Sequence, residues 1–257
     1  MLELKKFGEA TAKYLRLDTR PVAVKLIKKE DQVEGLAERP SQVLGERVRP
    51  CVAWHLARHQ GFPVLMLRDD FSPECPPSIF IYGLLEPTDA WLGGDLTYDI
   101  YTDNREAAGN MERQVHCLPV GEYQGLLLAP LDQCRFDPDL VMVFCNSLQA
   151  TQLVASSAWK TGEPLHFSMA ARCLCSDGVV QPYLMDRPVL ALPCGGDRLH
   201  GRSQDYEVVF TTPVQYLGTL VAGLEGWARS HHPAAMGQDS MLLQEYKRMA
   251  SDLLKKL

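Results

Sequence analysis

No stretch of this chain approaches the roughly 20 consecutive apolar residues needed to cross a bilayer. The first residues, Met1-Leu-Glu-Leu-Lys-Lys-Phe-Gly, mix acid and base without an apolar run of signal-peptide length. Neither a membrane span nor a secretory leader is read, and a cytoplasmic protein is expected. Positive charge is also short: 26 Lys and Arg against 32 Asp and Glu give a formal net charge of −6. That balance excludes a general nucleic-acid binder, which needs a basic face to neutralise phosphates. Several catalytic signatures are missing. Gly195-Gly196-Asp197-Arg198 lacks the Gly-Lys-Ser/Thr of a phosphate loop, and there is neither a dinucleotide fingerprint nor a Gly-x-Ser-x-Gly elbow. His55 and His59 stand four apart, but Leu-Ala-Arg between them breaks the zinc-protease pattern. One buried and one solvated histidine is the plainer reading of that pair. Nothing here supports a hydrolase or a nicotinamide enzyme.

What is present is ordinary globular material: 257 residues, 46% apolar and 23% charged. With no internal repeat and no clear linker, residues 1–257 read as one globular domain carrying a helical extension over 232–257. Apolar positions Leu4, Phe7, Ala10, Tyr14 and Leu15 are spaced as a helix. Strands are read at Pro21-Val-Ala-Val-Lys-Leu-Ile, at Val64-Leu-Met-Leu, in the segments beginning Gly125 and Asp139, at Val189-Leu-Ala-Leu, and at Tyr206-Glu-Val-Val-Phe. The fully apolar run after Asp139 reads as a central strand. Helices are expected from Pro50 to Gly61, over 104–116, from a cap at Ser147 to about Trp159, and after Pro213. Residues 71–77 read as an irregular loop. The last segment, from Met241, carries an apolar stripe of Leu242, Leu243, Tyr246, Met249, Leu253 and Leu254, expected to pack on the body or, failing that, on a second copy. The fold class expected is α/β or α+β, a mixed sheet with flanking helices.

Eight cysteines in a cytoplasmic setting are read as thiols or metal ligands rather than disulfides. Four occupy unusual local chemistry. Cys51 follows Pro50 at a helix start, where the helix dipole favours a thiolate. Cys75 lies in Pro-Glu-Cys-Pro-Pro, Cys175 in Cys-Leu-Cys-Ser-Asp-Gly, and Cys194 in Pro-Cys-Gly-Gly. Proline fixes the chain without adding a donor, and glycine lets backbone N–H groups approach a sulfide. Thiolates suit iron–sulfur clusters or zinc. No Cys-x-x-Cys pairing is present, so dispersed cysteines meet only through the fold. Cys117, Cys134 and Cys145 read as buried structural residues, and Cys173 as a spare ligand. His116, His166 and His231-His232 have no partner motif.

These segments resemble the family catalogued as domain of unknown function 169, found in bacteria and archaea, many of them anaerobes. The resemblance rests on Pro21-Val-Ala-Val-Lys, on Arg49-Pro50-Cys51 followed by Ala57-Arg58 and Gly61, and on Cys75. Further along it rests on Pro138-Asp139-Leu-Val-Met-Val, on Cys175-Ser-Asp with Pro182-Tyr183, and on Leu192-Pro-Cys194-Gly-Gly-Asp-Arg198. The cysteines it carries over are Cys51, Cys75, Cys175 and Cys194. Pro76-Pro77-Ser78 departs from the glycine-rich stretch expected after the second cysteine, and the extension from about residue 232 is longer than the family core. The family implies no established reaction.

The expectation is therefore an iron–sulfur protein with a 4Fe-4S cluster on Cys51, Cys75, Cys175 and Cys194, working in redox chemistry with a partner protein. At an open iron, a small anion held by Arg198 or Arg202 is the expected substrate. The alternatives are a non-catalytic binding or regulatory module with structural or zinc-binding cysteines, and a metal-free thiol enzyme using Cys51. Arg172, Arg198 and Arg202 are otherwise expected to pair with Asp177, Asp197 and Asp205.

Overall fold

A computed structural model describes residues 2–230 and 241–255, with no account of the side chains of 241–243. The helices in chain order are α1 (Leu2–Ala10), α2 (Pro40–Val43), α3 (Pro50–His55), α4 (Pro76–Ile81), α5 (Asp89–Leu92), α6 (Arg105–Glu112), α7 (Ser147–Ser157), α8 (Gln181–Met185), α9 (Gly195–Leu199), α10 (Leu217–Ser230) and α11 (Met241–Leu254). The strands are β1 (Val22–Lys28), β2 (Val64–Leu67), β3 (Tyr123–Pro130), β4 (Leu140–Cys145), β5 (Val189–Ala191) and β6 (Val208–Pro213).

The six strands form one sheet in the order β2-β3-β1-β4-β6-β5, and every pairing between them is antiparallel. The combination of a sheet with flanking helices expected from the sequence holds, but the sheet is antiparallel throughout rather than mixed. Strand direction alternates throughout, so no parallel crossover is required. As expected, the apolar run after Asp139 is central: β4 is buried along its whole length between β1 and β6.

Both faces of the sheet are covered, which is why its strands are apolar at successive positions rather than at alternate ones. Val22, Val24, Leu26, Leu126, Leu128, Leu140, Met142 and Phe144 point into a core shared with α3, α4 and the later cysteine segments. Ala23, Ile27, Leu127, Ala129, Val141, Val143 and Cys145 face the opposite core, formed with α1, α7 and α10. That second core is a helical backing. Gly223 of α10 lies so close to α7 that a Cβ there would sit 2.4 Å from the Ser156 Cα.

Three helices continue into a single wider π turn: Thr11–Leu15 after α1, Leu56–Gln60 after α3, and Ser176–Val180 before α8. The helix opened by Pro50 ends at Gly61 with φ 80°, as its glycine stop predicts. Two expectations need correcting. The cap of α7 is Asn146, not Ser147: its Oδ1 accepts from the Gln149 backbone N–H while Gln149 Oε1 accepts from the Asn146 N–H. The apolar stripe of α11 does not pack on the body, because Tyr246, Met249, Leu253 and Leu254 are all exposed. Leu242, Leu243, His231 and His232 lie outside the residues or side chains described.

The close α7–α10 contact yields a stability test. Gly223→Leu overpacks it, at a cost of about 1–3 kcal/mol, and lowers the thermal midpoint by several degrees. An unchanged Tm contradicts this packing.

Candidate metal centre

The first cysteine-bearing helix, α3, begins at Pro50, whose fixed φ and missing N–H suit a first turn. Cys51 is its second residue. Cys75 caps α4, and Pro76 and Pro77, which replace the expected glycine-rich stretch, form the first turn of that helix. The segment expected to be wholly irregular thus turns helical directly after its cysteine. Cys194 caps α9 in the same way. Cys173 and Cys175 sit where the chain turns into the helical stretch that becomes α8.

Cys51, Cys75, Cys175 and Cys194 line one pocket of about 340 Å3, and Cys173 lines it with them. Four separated segments therefore deliver five thiols to one place. Electrostatic coupling agrees: Cys75 acts on Cys51 and on Cys175, while Cys173 acts on Cys75 and on Cys194. The rest of the wall includes Arg49, Trp54, Glu74, Thr97, Tyr101, Arg172 and Asp197.

Asp197 ties two of these segments together. Its Oδ1 accepts from Trp54 Nε1 at 2.8 Å, and its Oδ2 accepts from the Cys194 backbone N–H at 3.1 Å and from the Cys194 thiol at 2.9 Å. Gly201 completes the junction, since a Cβ there would fall 3.0 Å from the Cys51 carbonyl oxygen. Nearby, Arg58 is fully buried, pairs with Glu207 through Nη1 at 2.7 Å and Nη2 at 3.0 Å, and lies over the Phe144 ring at 3.8 Å.

The expected arginine partners are only partly found. Arg198 does bind Asp205, at 3.2 Å, and the Gln204 carbonyl. Arg172 pairs instead with Glu112, its Nε 2.8 Å from Oε1. Asp177 accepts from the Ala171 N–H, and burial raises its carboxyl to about 6. Neither Arg198 nor Arg202 lines the thiol pocket; Arg49 and Arg172 do. His55 and His59 place their rings 4.7 Å apart, the first half-buried and the second exposed. The remaining cysteines separate. Cys134 and Cys145 are buried in the opposite core, whereas Cys117 is half-buried beside Cys173, its thiol raised to about 11 by burial.

Burial changes the expected chemistry of Cys51. Loss of solvent, then the negative charge of Asp197, pushes its thiol well up instead of activating it. Burial likewise raises Cys75 and Cys194. Cys173 moves the other way: hydrogen bonding from the Cys175 thiol, helped by Arg172, draws it down, while Cys175 is pushed up. Among the described residues, no three His, Cys, Asp or Glu side chains are placed to share one metal ion.

A profile of the family described as Uncharacterised ArCR, domain of unknown function 169, matches residues 11–223. The chain belongs to this family. A Methanocaldococcus jannaschii relative, Uncharacterized protein MJ0308, is 25% identical over 228 residues, which covers 87% of this chain and 94% of the relative. No solved structure matches. All five pocket cysteines lie inside the span matched by this family, and α11 lies beyond it.

Raised thiols react slowly, because the thiolate is the nucleophile. In metal-free, reduced protein at pH 7, iodoacetamide is expected to label Cys51 no faster than Cys75 or Cys194, as read by peptide mass spectrometry. Selective fast labelling of Cys51 would instead favour a thiol enzyme.

Proposed function

We propose that this protein is an iron–sulfur protein whose cluster, of the 4Fe-4S type, is held by Cys51, Cys75, Cys175 and Cys194 and serves redox or electron-transfer chemistry. The observation that carries the reading is the convergence of five thiols from four separate segments on one pocket. A thiol used only as a small buried hydrophobe has no reason to meet four others; Cys134 and Cys145 are buried without doing so.

Three lines of physical chemistry support the fit. Burial keeps protons on most of these thiols, so emptying them of protons requires a compensating positive centre, which a metal supplies. Soft thiolates suit iron–sulfur centres as well as zinc, and the five thiols that line the pocket exceed the four ligands that one tetrahedral zinc takes. Cys51, Cys173 and Cys175 are also buried, and such shielding of the sulfurs tunes cluster potential.

Cys173 is the additional thiol. With the four proposed ligands in place it is the pocket neighbour that hydrogen-bonds to the centre or substitutes for Cys175. A redox partner docks at the rim, where Leu96, Tyr101 and Leu199 line the pocket yet are 44%, 44% and 76% exposed.

Anaerobic purification followed by iron and acid-labile sulfide analysis tests the reading. Brown protein with both elements is expected, as is their loss in Cys51→Ser, Cys75→Ser and Cys194→Ser, with retention in Cys145→Ala on the far face of the sheet. Colourless, iron-free protein, or one zinc without sulfide, contradicts it.

A further inference from the structure

Arg172 contributes a charged wall to the thiol pocket, yet the proposed cluster has no need of it as a ligand. Its side chain is only 8% exposed. Glu112, itself buried, takes the Nε donor at 2.8 Å. The Tyr101 ring lies 5.2 Å from the guanidinium carbon. Those two contacts fix the plane of the guanidinium and leave its far edge unused. Among the described residues, neither terminal nitrogen donates to a protein acceptor, and neither is sealed away as the unpartnered Arg58 Nε is. Both nitrogens therefore stay within reach of solvent or of a small ligand. Thr97, which also lines the pocket, differs: it is 1% exposed, and its hydroxyl is sealed from solvent without a partner.

We infer that the buried Arg172 edge, held by Glu112 and Tyr101, is a subsite for a small carboxylate or comparable two-oxygen anion beside the pocket thiols. The two terminal nitrogens form a planar fork that matches two oxygens of one anion. At about 340 Å3 the pocket lies at the low end of ligand pockets, ~300–1,000 Å3, and it is shared with the sulfur centre, so only a ligand of a few atoms fits. Arg198 cannot serve in this way, since Asp205 and the Gln204 carbonyl occupy it outside the pocket. This subsite deepens the iron–sulfur reading and rests on it for any role in turnover, but its affinity for anions stands on Arg172 alone.

The test is isothermal titration of the full-length, anaerobically purified protein with sodium formate and with sodium acetate at constant ionic strength, iron and sulfide being measured on the same samples. Saturable binding of at least one anion is expected in the wild type and in Arg198→Gln. Arg172→Lys keeps the charge and protects the fold against an uncompensated Glu112, but loses the fork; affinity is expected to fall about tenfold or more, the loss of one charge-assisted hydrogen bond. Equal binding by wild type and Arg172→Lys, or no saturable binding of either anion by the wild type, overturns the subsite. Loss of iron in Arg172→Lys with anion binding unchanged also overturns it, and assigns Arg172 to the cluster. Arg172-dependent binding in protein that lacks iron and sulfide upholds the subsite while removing the cluster. Iron and sulfide without Arg172-dependent binding do the reverse.

Discussion

Asp197 is a carboxylate buried to 1% exposure at the junction of two segments that are more than 140 residues apart in sequence. It accepts from Trp54 on the Cys51 helix and from both the backbone and the thiol of Cys194. A buried carboxylate is tolerated only when such donors satisfy it, and here they all belong to the thiol pocket. Burial still holds its acid form above the ordinary carboxylate range. Remove the carboxylate and the Trp54 N–H and the Cys194 N–H both lose their acceptor inside the core. The mutual position of Cys51 and Cys194 therefore depends on this one group, and Gly201 keeps the approach open.

Around that junction the antiparallel sheet acts as a two-sided platform. One face is committed to α1, α7 and α10, whose contacts are apolar. The other carries the pocket, and beneath it the sheet-face residues Val24, Leu126, Leu128 and Met142 are wholly buried. The buried charges on this side include pairs that span long sequence distances, Arg58 with Glu207 and Arg172 with Glu112. Thiols in such surroundings are poor nucleophiles and are better suited to a metal that displaces their protons.

Much of this was legible in the sequence. Strand β1, the central β4 and the Pro50–Gly61 helix follow from apolar runs and from proline and glycine placement. Cys51, Cys75 and Cys194, each beside a proline, line the pocket with Cys173 and Cys175, and at those three the proline or glycine neighbour marks where the chain turns into a short helix. Cys173 was harder to place. In an extended strand it would share a face with Cys175, whereas here the chain turns through the pair and both thiols enter the pocket. Asp197, Trp54, Glu112 and Arg172 find their partners through tertiary contacts with no local signature. The one available hint was the spacing of Cys194 and Asp197, which is that of a capping box. The α11 stripe misled because amphipathic spacing shows that a face is apolar, not what covers it.

The proposed centre requires thiolates from these segments to bind iron and sulfide jointly. Iron K-edge X-ray absorption on the anaerobically isolated protein measures it most directly. An iron shell made of sulfur with a short iron–iron path is expected, both lost when Cys51 and Cys194 are replaced together. A nitrogen- and oxygen-dominated shell with no iron–iron path would contradict it.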